Sequence, residues 1–180
     1  MKKKITFLLE EDEDGYPPVA AEGIWAEHLG GDRYELDNIP FFAREATLGD
    51  VVRVRIVEGE TRYLETVTPS ENSLLRVVCF EGVDLAMLRR RIEATGCSTE
   101  HDAAHALIAI SVPAAVELSD VYASFEPEYS NEMLDYEEPI LRHQAHKCVE
   151  SDWRPATTAA DGKAARFDAS SAREHRDEVD

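Results

Sequence analysis

The sequence contains no apolar run near the ~18 residues that a membrane-spanning helix needs. Its start, MKKKITFLLEEDEDG, resembles a signal peptide for only a few residues. A short apolar segment gives way to five consecutive acids, with no longer apolar core and no small-residue cleavage site. The expectation is a cytoplasmic protein with no membrane partner. Cysteine is scarce: Cys79, Cys97 and Cys148 form no C-x-x-C pair, and an odd count in that compartment points to free thiols rather than a disulfide frame. No G-x-G-x-x-G and no phosphate loop is present, so nucleotide binding lacks a motif. Ser98, Thr99 and Ser111 stand outside any nucleophile-elbow context, and Cys79 has no local base to lower its pKa. No catalytic residue, cofactor or metal is therefore expected. Bases are few as well: nineteen Lys and Arg face thirty-seven Asp and Glu, a formal charge of −18. Phosphate contacts need a basic face, so a nucleic-acid partner is disfavoured, while solubility and attraction to a basic protein partner are favoured.

What is present is ample apolar material, 43% of 180 residues, enough for one ordinary domain or two small units. KITFLLE alternates loosely and reads as a first strand, followed by a long acidic loop ending in GYPP. AEGIWAEHLG and RYELDNI, separated by GGD, predict a hairpin whose glycines supply positive φ. GDVVRVRIVEGETRYLETVTP predicts a second, with Val52, Val54 and Ile56 on one side and Arg53 and Arg55 on the other. Five short strands in about seventy residues suggest a small antiparallel barrel.

After PSENS the pattern changes. LLRVVCFEG is a near-continuous apolar strand, and VDLAMLRRRIEATG an amphipathic helix with Leu85, Leu88 and Ile92 on one face, stopped at Gly96. CSTEHDAAH reads as a polar loop and ALIAISVP as a buried strand. A helix through Val116, Leu118, Val121 and Phe125 is expected to lose regularity at Glu126-Pro127, and LDYEEPIL to form a last strand. The predicted fold class is α+β: a barrel-like unit over 1–70, a ferredoxin-like β-α-β-α-β unit over 71–145, and a disordered tail over 146–180.

The stretch PPVAAEGIWAEHLGGDRYELDNIPFFAREATLGDVVRV, with GCSTE and the late DYEE, resembles a family of small bacterial proteins known only as a domain of unknown function. The pattern W-A-E … Y-x-L-D-N-I-P-F-F-A … L-G-D carries the resemblance, which spans roughly residues 5 to 141. It implies no activity, cofactor or catalytic residue.

Two segments are candidate binding surfaces. In DNIPFFA, Asp37 and Asn38 ahead of Pro40 are turn chemistry, and Phe41 and Phe42 point to opposite faces if the segment is extended. The plain reading is an aromatic corner plug; the functional one is a recognition loop using Trp25, Asn38, Phe41 and Phe42. In SFEPEYSNEMLDYEEP, Glu126, Glu128, Glu132, Asp135, Glu137 and Glu138 alternate with Phe125, Tyr129 and Tyr136, a pattern suited to a basic partner. Its plain reading is a solvated connection whose tyrosines pack back on the sheet. Cys97, His101 and His105 would share a helix face only if ALIAISVP did not begin directly afterwards, and His143, His146 and Cys148 lack a fixed fourth ligand. Two functions follow: a non-catalytic, acidic protein-binding domain of immunity-inhibitor type, or a small enzyme or ligand sensor with its pocket between the two units. For the pocket, Glu27, Arg53 and Arg55 join Trp25, Asn38 and Phe42.

Overall fold

A computed structural model describes residues 1–13 and 15–143. The predicted tail, with His146 and Cys148, lies outside the described residues.

Among the described residues, nine strands and two helices follow one another as β1 (Lys2–Leu8), β2 (Ala21–Gly30), β3 (Arg33–Leu36), β4 (Val51–Val57), β5 (Glu60–Thr68), β6 (Ser73–Cys79), α1 (Leu85–Ala94), β7 (Ser98–Asp102), β8 (Leu107–Val112), α2 (Leu118–Ser130) and β9 (Leu134–Ile140). The protein is thus α+β, with two sheets. β1 to β5 pair antiparallel in sequence order, and a single parallel pair, Thr6 opposite Arg62, closes the ring. Period-two alternation sends Ile5, Phe7, Ile24, Ala26, Tyr34, Leu36, Val52 and Val54 into its interior. Gly30 and Gly31, at φ +109° and +64°, turn β2 into β3 in a region that side chains with a Cβ avoid.

The second sheet has the order β7-β8-β6-β9. Leu75, Val77, Ile108, Ile110 and Val112 face α1 and α2, which cover them with Leu88, Ile92, Val121 and Phe125. The Asp84 side chain accepts from the Met87 amide and caps α1.

Three expectations are corrected. CSTEHD is not a polar loop: Ser98–Asp102 pairs with β8 as an edge strand, so the order is β-α-β-β-α-β rather than β-α-β-α-β. Its five residues, Ser, Thr, Glu, His and Asp, include no apolar side chain, so the strand has no hydrophobic period to read. The second helix does not fail at Pro127 but runs to Ser130, since Val121 and Phe125 anchor it in the core and Pro127 falls in its last turn. Ile56 does not join Val52 and Val54 inside; near the β4–β5 turn it is 63% exposed.

Among the described residues, no helix is long and apolar enough to cross a membrane. Phe125 fills the centre of the helix-covered core, so Phe125→Ala is expected to cost about 3–5 kcal/mol in urea unfolding. A loss below about 1 kcal/mol would show that this core tolerates the cavity.

Candidate functional site

Residues 37–50, DNIPFFAREATLGD, leave β3 and form an irregular strap before β4. The strap lies between the two sheets and is held from both.

On one side, a single register row crosses the four-stranded sheet. Glu100 faces Ala109, Ala109 faces Arg76, and Arg76 faces Glu137. The strap crosses this row in the same order. Ile39 N donates to Glu100 Oε1 at 2.8 Å. Arg76 Nε donates to the Pro40 carbonyl at 3.4 Å and Nη2 to that of Ala43. Arg44 Nη2 and Arg76 Nη1 each reach Glu137 at 2.8 Å. Ala109, small enough to leave space, packs with Ile39 and Leu74, and the half-buried Phe41 and Leu48 close the cluster. The Arg76 side chain is 0% exposed, so its charge is met by Glu137 and the strap carbonyls alone.

On the other side, Glu22 of β2 accepts three consecutive backbone amides: Phe41 at 2.6 Å, Phe42 at 2.9 Å and Ala43 at 2.8 Å. Farther along, buried Asp50 accepts from Thr47 N (2.9 Å) and Ser70 N (2.7 Å) and takes a two-pronged bond from Arg142 (2.6 and 2.8 Å). Burial alone raises the Asp50 carboxyl; the Arg142 bonds, then the Ser70 and Thr47 amides, outweigh it and hold the group below its ordinary 3.8. His143 bridges Ser73 Oγ (2.6 Å) and the Pro113 carbonyl (3.0 Å), tying down the end of the described chain.

The anticipated recognition residues separate. Asn38 Oδ1 accepts the Trp25 amide at 2.6 Å. Phe42 is buried, edge-on to Tyr16 (6.2 Å) and His105 (5.3 Å). Trp25 instead points outward from the closed sheet, with the Lys4 ammonium 5.5 Å from its ring centre. Arg53 meets Asp32 and Glu65 on the same outer wall. His105 Nδ1 lies 2.6 Å from Asp102 Oδ2 in the β7–β8 turn. His101 sits on β7 beside Ile108, so the two imidazoles do not share a helix.

The acidic-aromatic residues do assemble. Phe125 and Tyr129 both meet Tyr136 on the helix side of the sheet, the first tilted and the second edge-on, each with ring centres 5.3 Å from it. Glu128 pairs with Arg91, Glu126 accepts from Ser130, and Glu138 accepts from Tyr122. Burial, then the Glu138 carboxylate, pushes the Tyr122 hydroxyl far above its ordinary 10.0. A groove of about 330 Å³ between them is lined by Ser119, Tyr122, Ala123 and Glu126. Cys79 is a core residue whose thiol burial pushes up to about 11, which leaves it protonated at neutral pH.

Sequence reasoning missed Arg76, Glu22, Glu100 and Asp50, and it set Glu137 on the acidic binding surface, whereas Glu137 pairs with Arg76 and Arg44. Arg76 had one legible signal, a lone charge inside an apolar strand.

These features define an α+β protein whose two sheets are joined through a polar strap, with a shallow groove along α2 on the helical side. The chain belongs to the family described as domain of unknown function DUF4265, whose model matches residues 22–136. It is similar in fold to the crystal structure of a hypothetical protein from Neisseria gonorrhoeae, at 19% identity and a TM-score of 0.66, covering 78% of this chain and 96% of that one. No curated protein matches it.

Arg76→Met removes the donor from Glu137 and two strap carbonyls; a loss of about 3–5 kcal/mol in urea unfolding is expected, with Arg76→Lys recovering only part. Equal stability of Arg76→Met and wild type would show that the guanidinium is dispensable. Because the folded Asp50 carboxyl sits below its unfolded value, its stabilisation is complete above that value and is lost as pH falls through the folded one. Melting temperature should therefore drop on acidification below about pH 4, and less steeply in Asp50→Asn, which starts from a lower neutral value.

Proposed function

We infer that the protein is a non-catalytic protein-binding domain whose acidic helical face receives a basic partner. Its sharpest form is an immunity-type inhibitor that covers the basic surface of a toxin or of a nucleic-acid-handling protein. One observation carries the reading: residues 71–143 contain fourteen acids against five arginines and no lysine. Four of those arginines are already engaged, Arg76 by Glu137, Arg142 by Asp50, Arg91 by Glu128 and Arg89 by Glu93. Glu126 lines the Ser119–Glu126 groove, Asp135 and Glu138 lie with it near Tyr136, and Glu132 is exposed after α2, a set of acids that speeds encounter with a cation-rich face and repels phosphate. Tyr122 on its rim adds a rigid amphipathic contact.

We read the five-stranded closed sheet as a small barrel and the β-α-β-β-α-β unit as ferredoxin-like. That arrangement puts both helices on one face and leaves the other for the strap. Edge strand β9 is guarded: Asp135 Oδ1 accepts the Tyr136 amide at 2.8 Å, and Pro139 has no amide to offer. The partner is accordingly expected to use side chains rather than add a strand.

The second reading, a small enzyme or ligand sensor at the seam between the units, is favoured by one contact. His105, oriented by Asp102 and set against Phe42, has the posture of a general base.

Affinity capture with the full chain from its native lysate, at low and high salt, separates the two. Under the binding reading a stoichiometric basic protein is captured at low salt, lost at high salt, lost with E126K/E132K/E138K and retained by His105→Gln. Capture of nothing by the wild type, or capture indifferent to the lysine variant, would overturn it. Dependence on His105 instead would move the site to the seam.

A further inference from the structure

The outer wall of the closed sheet carries a pattern unrelated to the acidic groove. Ile5 and Phe7 point inward on β1, and Thr61 and Tyr63 turn inward on β5, where Tyr63 stacks on Phe7 at 4.4 Å. Thr6, Leu8, Arg62 and Leu64 therefore face outward. Thr6 lies opposite Arg62 in a parallel pair, so two residues farther along both strands Leu8 and Leu64 lie side by side. They are 56% and 42% exposed. On the next strand, Arg55 is directly opposite Arg62. Like charges at that position repel, and a chain with twice as many acids as bases has carboxylates to spare for such a site. Only Arg62 has a carboxylate, Glu60 at 3.0 Å; among the described residues Arg55 forms no ion pair. On the flanking strand, Trp25 is 49% exposed beneath Lys4, whose stem fills the space that Gly23 leaves open. In the opposite direction β1 runs out into the exposed Glu10, Glu11 and Glu13.

In the shared direction of β1 and β5 the wall therefore reads Arg55 and Arg62, then Leu8 and Leu64, then the acids that follow β1. At ~3.3 Å per residue, the bases and the first acids each stand roughly 7 Å from the leucines. A patch of that kind complements its own copy after a half-turn about the leucines. We propose that this wall is the interface of a homodimer. The two-fold axis passes near Leu8 and Leu64, and each copy's acidic run covers the other's Arg55–Arg62 pair. The apolar centre is desolvated in the contact, and the crossed charges fix its register and make it salt-dependent.

The test is the solution mass of the full chain by sedimentation equilibrium, at roughly 50 and 500 mM salt, over concentrations up to about 200 µM. The expected result is twice 20.2 kDa at low salt, with dissociation strengthened at high salt. R55E/R62E and E10K/E11K/E13K should each weaken association by about tenfold or more, while their equimolar mixture restores a dimer, because every crossed contact is again between opposite charges. Leu64→Ser should weaken it at both salt concentrations, and far-UV circular dichroism of each variant checks that it remains folded. Three outcomes would overturn the proposal: a wild type at monomer mass throughout, a mixture no more associated than its components, or assemblies that grow beyond two copies. If the charge variants unfold, Leu8→Ser and Leu64→Ser decide alone, and unchanged dimerisation in both rejects this face.

Discussion

A guanidinium without access to water is the constraint around which the rest of this molecule is arranged. Arg76 stands in the second strand from the edge of the four-stranded sheet, on the face away from the helices, where an isolated charge would cost several kcal/mol. Its position fixes what lies above it. Glu137 must come from the adjacent strand, and the carbonyls of Pro40 and Ala43 from a segment with no regular structure of its own. The charge therefore selects a register for β9 and a path for the strap at once.

The strap in turn belongs to neither sheet. Its amides at 41–43 are taken by a carboxylate of the closed sheet, and its carbonyls by an arginine of the open one. Irregular backbone buried between two layers leaves its polar groups unpaired unless side chains or other backbone supply the bonds. Here Glu22, Glu100, Arg76 and Asp50 supply many of them, backbone bonds and Thr66, Ser70 and Asn72 supply others, and Ile39, Phe41 and Leu48 contribute the apolar part of the contact. The aromatics that make this segment conspicuous are consequently turned to packing, and of Trp25, Asn38, Phe41 and Phe42 it is Trp25 that is exposed.

The hairpins of the first seventy residues were legible because alternation and turn glycines agree, and α1 because its apolar face has a helical period and its end a glycine. β7 was not, since an edge strand of Ser, Thr, Glu, His and Asp has the composition of a loop and is recognised only by its neighbour β8. The charged network was hidden for a different reason: its partners are far apart in sequence. Yet three of its members left a trace in strand parity. Glu22 shares the inward phase of Ile24 and Ala26, Asp50 that of Val52 and Val54, and Arg76 that of the buried Leu74. A charge on the inward phase of a strand is costly unless a partner is built for it, so parity violations point to long-range pairs that propensity cannot see.

The strap also has a history in the order of synthesis. The chain emerges from its N-terminus, and the five strands that Glu22 and Asp50 serve are complete before Ser73 is made. Arg76 follows Pro40 by 36 residues, Glu100 follows Ile39 by 61, and Glu137 follows Arg44 by 93. Until the last of them leaves the ribosome, the nascent first unit presents carbonyls and apolar side chains whose partners do not yet exist. Its finished form therefore waits on β9, the last of the described strands to be translated.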